Sequence, residues 1–218
     1  MSTFGKAFLA LGLLVQVIAY IVAPSHPISL ISGMLGIVSV VLTSQGNIKT
    51  FFFGIAQIVT YMVLLWMNQL WAGLAINVFY LLSQLYGIWS WKRNMRATSD
   101  SSSETKAPQH IHPKRLSSAA LCGVVTLTLI VSLVTGWLLS IYSNDSQPYL
   151  DALTTVPGIT ATLLTLSVYR EGWWVWLCVH TGFIILWTVA GNWSMVAQYV
   201  FWWINCIYGM RQWHKLAL

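Results

Sequence analysis

Eight apolar runs, almost free of charge, restrict what this chain can fold into. They cover residues 5–23, 28–44, 51–67, 70–91, 117–142, 150–168, 172–190 and 193–211. Each run has about 17 residues or more, enough to cross roughly 30 Å of hydrocarbon as an α-helix. Only 7% of the 218 residues are charged, whereas about a quarter are charged in a typical soluble domain. The sequence therefore predicts an all-α integral membrane protein with eight transmembrane helices.

The basic residues indicate how these helices are oriented. Lys and Arg lie at residues 6, 49, 92, 93, 96, 106, 114, 115, 170, 211 and 215, and eight crossings place all of them on one side of the membrane. Because loops rich in Lys and Arg stay in the cytoplasm, we expect both termini to be cytoplasmic. The net charge of +6 then reflects topology, and we expect no nucleic-acid partner.

The second half of the sequence repeats the first at a spacing of 122 residues. At this spacing Tyr86-Gly87 coincides with Tyr208-Gly209, and Trp91 coincides with Trp213. Matches at aromatic and glycine positions are the least expected by chance, so we infer two parallel three-helix repeats joined by a linker helix. This 3+1+3 plan predicts an extra N-terminal helix (1–27), repeat 1 (28–91), a cytoplasmic loop with the linker helix (92–149) and repeat 2 (150–218).

Polar side chains at membrane depth are the candidates for a binding site. Asn77, Tyr80 and Gln84 follow one another at spacings of three and four, which places them on one helix face. Faces that combine aromatic and hydrogen-bonding groups suit a flat, polar ring near the middle of the membrane. The candidate substrate-binding residues are Trp173, Trp176, His180, Tyr80, Trp202, Asn205, Asn77, Gln57, Tyr61 and Gln84.

Each of these side chains also has a simpler interpretation. Tryptophans near helix ends form interfacial belts, and Asn or Gln within a helix often bonds to a neighbouring helix. His180 could equally be a packed histidine with a satisfied hydrogen bond. His110 and His112 form an HxH sequence, but a solvated, flexible linker is a better interpretation of that loop than a metal site. We expect no metal and no cofactor.

Charged side chains are absent from the eight runs except near their ends. Proton-coupled transporters usually keep a carboxylate inside the membrane, so the sequence favours facilitated diffusion. It also offers no set of nucleophile, base and orienting group, so we predict that the chain is not an enzyme and has no catalytic residues. Two alternatives remain, an intramembrane enzyme that uses His180 and a membrane scaffold that transports nothing.

The segments IKTFFFGIAQIVTYMVLLWMNQLWAGLAINVFYLLSQLYGIWSW (48–91) and VYREGWWVWLCVH (168–180) resemble the PnuC family of vitamin transporters. The resemblance covers essentially the whole chain. It implies a 3+1+3 fold like that of the SWEET sugar transporters, a homotrimer, and a location in the bacterial inner membrane. It also implies facilitated diffusion of a small vitamin, which is trapped when a cytoplasmic kinase phosphorylates it.

One substitution in the family's motif bears on the substrate. Nicotinamide riboside members are similar in carrying W-x-x-W-x-x-x-N, and this chain keeps Trp173 and Trp176 but has His180 at the Asn position. Thiamine, carried by the PnuT branch, offers a cationic aromatic ring to the tryptophans and an aminopyrimidine to a polar side chain. We therefore expect thiamine as the substrate, with nicotinamide riboside as the alternative.

Overall fold

The computed structural model describes residues 3–22, 26–67, 69, 71–99, 110–143, 147–189 and 193–217. Residues 100–109 of the predicted cytoplasmic loop, with Lys106, lie outside these ranges. The described residues form eight α-helices: α1 (Thr3–Val22), α2 (Pro27–Ser44), α3 (Thr50–Met67), α4 (Trp71–Ser99), α5 (Ser118–Tyr142), α6 (Pro148–Leu166), α7 (Gly172–Val189) and α8 (Trp193–Leu216). The predicted all-α class and number of helices agree with these bounds.

Five of the helices, α1, α2, α3, α5 and α7, are long and apolar enough to cross a membrane, with mean hydropathies between 1.4 and 2.2. The other three, α4, α6 and α8, are long enough at 29, 19 and 24 residues but contain more polar residues. Their crossing of the membrane stays a prediction.

Two helices extend well past their predicted ends. The apolar runs end at residues 91 and 211, whereas α4 continues to Ser99 and α8 to Leu216. Hydropathy changes where a run of Lys and Arg begins, but backbone hydrogen bonding continues as long as the residues favour a helix. The hydrophobic pattern therefore marked the apolar part of each helix and missed its polar extension.

Contacts divide the chain between His112 and Pro113 into two compact units. In unit 1, α1 packs on α2, α2 on α3 and α3 on α4. In unit 2, α5 packs on α6, α6 on α7 and α7 on α8. Helix starts follow local sequence: Pro27 and Pro148 occupy first turns, where a missing N–H costs nothing. Ser117 caps α5 by accepting a hydrogen bond from the Ala120 N–H at 3.2 Å.

In unit 1, the corner between α2 and α3 is closed by one residue in the left-handed region. Gly46 has a φ of 65°, and its N–H donates to the Thr43 carbonyl oxygen at 2.9 Å. The Asn47 N–H donates to the Leu42 carbonyl oxygen at 3.0 Å. Glycine is the residue that adopts this backbone conformation without a steric cost, so the sequence at Gly46 explains the turn.

In unit 2, the corner between α6 and α7 repeats this pattern at the spacing of 122 residues. Val168 has a φ of 67°, and its N–H donates to the Thr165 carbonyl oxygen at 3.1 Å. The Tyr169 N–H donates to the Leu164 carbonyl oxygen at 2.9 Å. A β-branched residue rarely adopts a positive φ, so the surrounding hydrogen bonds must hold Val168 in place.

The segment of residues 110–116, which we call the connector, bonds to the carbonyl oxygen at each of these two positions. In unit 1, the Ile111 N–H donates to Gly46 at 3.3 Å, and in unit 2 the Lys114 N–H donates to Val168 at 2.7 Å. Asn94 also forms two hydrogen bonds with the backbone of His112, at 2.8 and 2.9 Å. His112, Lys114 and Arg115 are exposed, as a solvated segment requires. The prediction of a flexible linker is wrong for these residues, because their backbone groups are paired with the helix corners and with Asn94.

A buried aromatic pair also occurs once in each unit at the same spacing. In unit 1, Phe51 of α3 meets Trp91 of α4 edge to face, with ring centroids 5.0 Å apart. In unit 2, Trp173 of α7 meets Trp213 of α8 in the same way at 5.6 Å. All four rings are buried, so each pair fixes the packing of two successive helices at the end next to the corner.

Replacing Gly46 by Ala should destabilise the protein, because a Cβ in the left-handed region costs about 1–2 kcal/mol. The measurement is the thermal unfolding temperature of the purified protein in detergent. Gly123→Ala in α5 is the matched control, since its Cβ would meet nothing within 4 Å, and Ala should stabilise that helix by about 0.5–1 kcal/mol. Equal unfolding temperatures for the two variants would contradict this view of the corner.

Candidate substrate-binding site

The packing of α7 on α8 in unit 2 begins with a tryptophan lying on a glycine. A Cβ added to Gly209 would come within 2.7 Å of three carbons of the Trp173 ring. Only glycine allows this approach, and Trp173 is consequently buried between Gly209 and Trp213. The side chains further along the two helices are thereby set in a fixed register.

Five aromatic rings of α7 and α8, which we call the aromatic cluster, lie beyond this contact. Trp176 stacks on His180, with centroids 5.3 Å apart and planes inclined by 20°. His180 also approaches Trp202 at 5.6 Å and Tyr199 at 5.9 Å. Phe183 stacks on Tyr199 at 4.5 Å. The imidazole of His180 is thus surrounded by aromatic rings from both helices.

Several buried polar atoms along the same two helices have no hydrogen-bond partner within the described part of the chain. They are Trp173 Nε1, His180 Nδ1, Trp187 Nε1 and Asn205 Oδ1, and Gln45 Nε2 in unit 1 is a fifth. His180 is 7% exposed and Asn205 only 1%. Leaving a buried polar group unpaired costs about 1–3 kcal/mol, so a bound molecule that paired with these atoms would be stabilised by them.

The chemistry of this site is aromatic and uncharged. Trp176 and Trp202 offer π-faces that attract a flat or cationic ring, while His180 and Asn205 offer a ring nitrogen and an amide oxygen. The sequence has no Lys, Arg, Asp or Glu in α7, and α8 carries Arg211 and Lys215 in its last two turns. Such a site suits a polar aromatic molecule and lacks a cation for a phosphate group.

Three of the candidate residues of unit 2 lie together in the structure. Trp176 and His180 are in contact, and Trp202 of the neighbouring helix reaches the same imidazole. Trp173, by contrast, was predicted to face a cavity with them, and the structure places its ring in the packing against Trp213. Its Nε1 is buried and has no hydrogen-bond partner among the described residues.

The remaining candidates lie in unit 1. Asn77 is buried in α4, Tyr80 is half-buried and Tyr61 of α3 is 42% exposed. The Gln57 side chain lies against α2, where a Cβ on Gly36 would be 3.4 Å from it. The Gln84 side chain lies beside Gly54 of α3. That these residues bind the same substrate as the aromatic cluster stays a prediction.

Sequence reasoning missed Phe183 and Tyr199, which complete the aromatic cluster. Phe183 follows His180 by three residues and Tyr199 precedes Trp202 by three, so the helical spacing that selected the other rings also applies to these two. Both were absent from the candidate set because they are common aromatic residues in apolar runs, and nothing local distinguishes them from core packing.

Comparison with known proteins identifies the family of the chain. Residues 26–215 match the protein family described as nicotinamide mononucleotide transporter. The chain is 32% identical to the nicotinamide riboside transporter PnuC of Haemophilus influenzae, over 98% of this chain and 91% of that protein. It is 27% identical to PnuC of Neisseria mucosa, over 98% and 82% of the two chains.

A solved structure gives the same result for the fold. The chain matches a structure described as the crystal structure of the vitamin B3 transporter PnuC with a TM-score of 0.79 and 25% identity, over 100% of this chain and 93% of that one. The resemblance inferred from the two quoted segments is therefore confirmed. The matches in sequence and in fold, each over most of the chain, show that the chain belongs to the nicotinamide mononucleotide transporter family and that the PnuC vitamin transporters are its relatives.

Proposed function

We propose that this protein carries nicotinamide riboside across the bacterial inner membrane by facilitated diffusion. The observation that carries the proposal is the set of unpaired buried polar atoms beside the aromatic cluster. The sequence favoured thiamine because of His180, but the relatives from Haemophilus influenzae, Neisseria mucosa and Escherichia coli are all named nicotinamide riboside transporters. They support the alternative substrate over thiamine.

The charge of the site supports the riboside over its phosphorylated form. Nicotinamide mononucleotide carries a phosphate, and a phosphate away from water needs a basic partner. Neither Lys nor Arg occurs in α7, and those of α8 lie near its C-terminal end. Nicotinamide riboside has a cationic pyridinium ring and neutral ribose hydroxyls, which match aromatic faces and uncharged hydrogen-bonding atoms.

The substrate would occupy both the aromatic faces and the unpaired polar atoms of the site. The pyridinium ring would lie against Trp176 or Trp202, where cation–π attraction contributes about 0.5–2 kcal/mol. Polar groups of the substrate would pair with His180 Nδ1, Asn205 Oδ1 and Trp173 Nε1, which have no partner of their own. We propose Asn77, Tyr80, Gln57, Tyr61 and Gln84 of unit 1 as further substrate contacts.

The transport mechanism follows from the distribution of charge and from the repeat. Since the described helices carry charged residues only near their ends, their central parts offer no carboxylate to couple transport to protons. A 3+1+3 repeat is supported by helix ends that recur 122 residues apart: Ser44 and Leu166, Thr50 and Gly172, Met67 and Val189, Trp71 and Trp193. We also propose that both termini lie in the cytoplasm and that the protein forms a homotrimer.

Trp176→Ala should weaken the binding of nicotinamide riboside about five- to thirtyfold, because it removes a stacking surface worth roughly 1–2 kcal/mol. Trp174→Ala is the matched control, since Trp174 lies on the same helix but is 62% exposed and outside the cluster. Isothermal calorimetry on the purified proteins measures both affinities. Equal binding by Trp176→Ala and the parent would show that the aromatic cluster is only packing.

His180→Asn restores the motif of the nicotinamide riboside transporters and tests the choice of substrate. We expect the parent to bind nicotinamide riboside more tightly than thiamine, and His180→Asn to keep that preference because Asn offers comparable hydrogen bonds. His180→Ala should weaken binding by about 1–3 kcal/mol, since a substrate group loses its partner in a dry site. Tighter binding of thiamine by the parent, reversed in His180→Asn, would restore thiamine as the substrate.

Protein reconstituted in liposomes should equilibrate nicotinamide riboside across the bilayer without any ion gradient. The measurement is uptake of the labelled vitamin, with internal and external concentrations compared at the plateau. Accumulation well above the external concentration under a proton or sodium gradient would contradict facilitated diffusion. No uptake at all, with binding intact, would favour a membrane scaffold.

A further inference from the structure

One face of α4 is apolar and has no partner helix in unit 1. Leu82, Leu85 and Trp89 follow one another at spacings of three and four and are all well exposed, Trp89 by 56%. The opposite face carries Ser83 and Trp91, which are buried in the packing of unit 1. In a membrane protein, an exposed apolar face of this kind contacts lipid acyl chains.

Three cations follow directly on this face, where α4 continues past its apolar part. Lys92, Arg93 and Arg96 are all exposed, and the Arg93 Cζ lies 5.4 Å from the centre of the Trp89 ring. Together with Trp89 and Ala97 they line an open cavity of about 520 Å³. The tryptophan therefore lies where an apolar surface changes into a positively charged one.

These cations have no carboxylate partner among the described residues. The ion pair that these residues do form joins Arg170 to Glu171, at 3.6 Å. A positively charged cavity with no counter-ion among the described residues attracts an anion. Guanidinium groups bind the oxygens of a phosphate in pairs, and the lysine adds a point charge. The neighbouring tryptophan is a side chain that prefers the boundary between headgroups and hydrocarbon.

We propose that Trp89, Lys92, Arg93 and Arg96 bind the headgroup of an anionic phospholipid, whose acyl chains lie along Leu82 and Leu85. The order of side chains along α4 matches the order of parts in such a lipid, with hydrocarbon first, then the glycerol region beside the indole, then the phosphate among the cations. A soluble phosphate compound would use the cations alone and would leave the apolar face without a role. The proposal does not depend on the identity of the transported vitamin.

The test is native mass spectrometry of the full-length protein in detergent, titrated with dioleoyl phosphatidylglycerol or dioleoyl phosphatidylcholine. The parent should bind phosphatidylglycerol more tightly than phosphatidylcholine. The variant Lys92→Gln/Arg93→Gln/Arg96→Gln should bind phosphatidylglycerol about a hundredfold more weakly, since each cation near an anionic headgroup contributes about a fivefold factor. The control Lys49→Gln/Arg211→Gln/Lys215→Gln removes the same charge from exposed positions elsewhere and should bind like the parent.

Equal weakening in the two triple variants would overturn the proposal, because the effect would then be net charge alone. Equal binding of phosphatidylcholine by the parent would also overturn it. A third arm adds glycerol 3-phosphate, and displacement of the lipid by millimolar amounts of this soluble compound would show a phosphate site instead of a lipid site. If the triple variant does not fold, Arg93→Gln alone should bind phosphatidylglycerol about fivefold more weakly, and unchanged affinity in that variant would contradict the proposal.

Discussion

Hydrocarbon offers no hydrogen bonds, and this constraint governs both the fold and the site. Backbone groups are paired inside helices, as any membrane-spanning segment requires. Most hydroxyl side chains bond to a carbonyl one turn back in their own helix, as Ser132 does to Thr128 and Thr181 to Leu177. Against this background, Trp173, His180 and Asn205 are exceptions, since each has a buried polar atom with no hydrogen-bond partner among the residues that the structure describes. The proposed substrate would supply the missing partners, which would account for a buried imidazole and a buried amide among tryptophans.

The two units share the same backbone arrangement and differ in the side chains that this arrangement carries. Each has a corner closed by a residue of positive φ and an edge-to-face aromatic pair next to it. One turn beyond that pair, unit 1 has Gly54 and Ile58 where unit 2 has Trp176 and His180. The stack of Trp176 on His180 therefore has no counterpart at the corresponding positions of unit 1. Val168, in a backbone conformation that suits the glycine of the other corner, shows that the backbone arrangement persists even where the local sequence opposes it.

Much of this could be predicted from the sequence because the bilayer makes local patterns decisive. The apolar runs gave the position of every helix, and helical spacing placed Trp176 and His180 in contact. The polar ends of α4 and α8 were missed, since hydropathy ends with the hydrocarbon while the helix does not. Trp173 was assigned to a cavity because its packing partners, Gly209 and Trp213, are distant in sequence and on another helix. The pairing of the connector with both corners was missed for the same reason, as backbone hydrogen bonds leave no trace in composition.

The central claim is that the aromatic cluster of α7 and α8 holds the vitamin, and a crystal or cryo-electron-microscopy structure with nicotinamide riboside bound tests it most directly. The account predicts the pyridinium ring within stacking distance of Trp176 or Trp202, about 4.5–7 Å between centroids. It also predicts a polar atom of the substrate within hydrogen-bonding distance of His180 Nδ1. Density for the vitamin elsewhere, with Trp176 still stacked on His180 and Nδ1 still unpaired, would contradict the account.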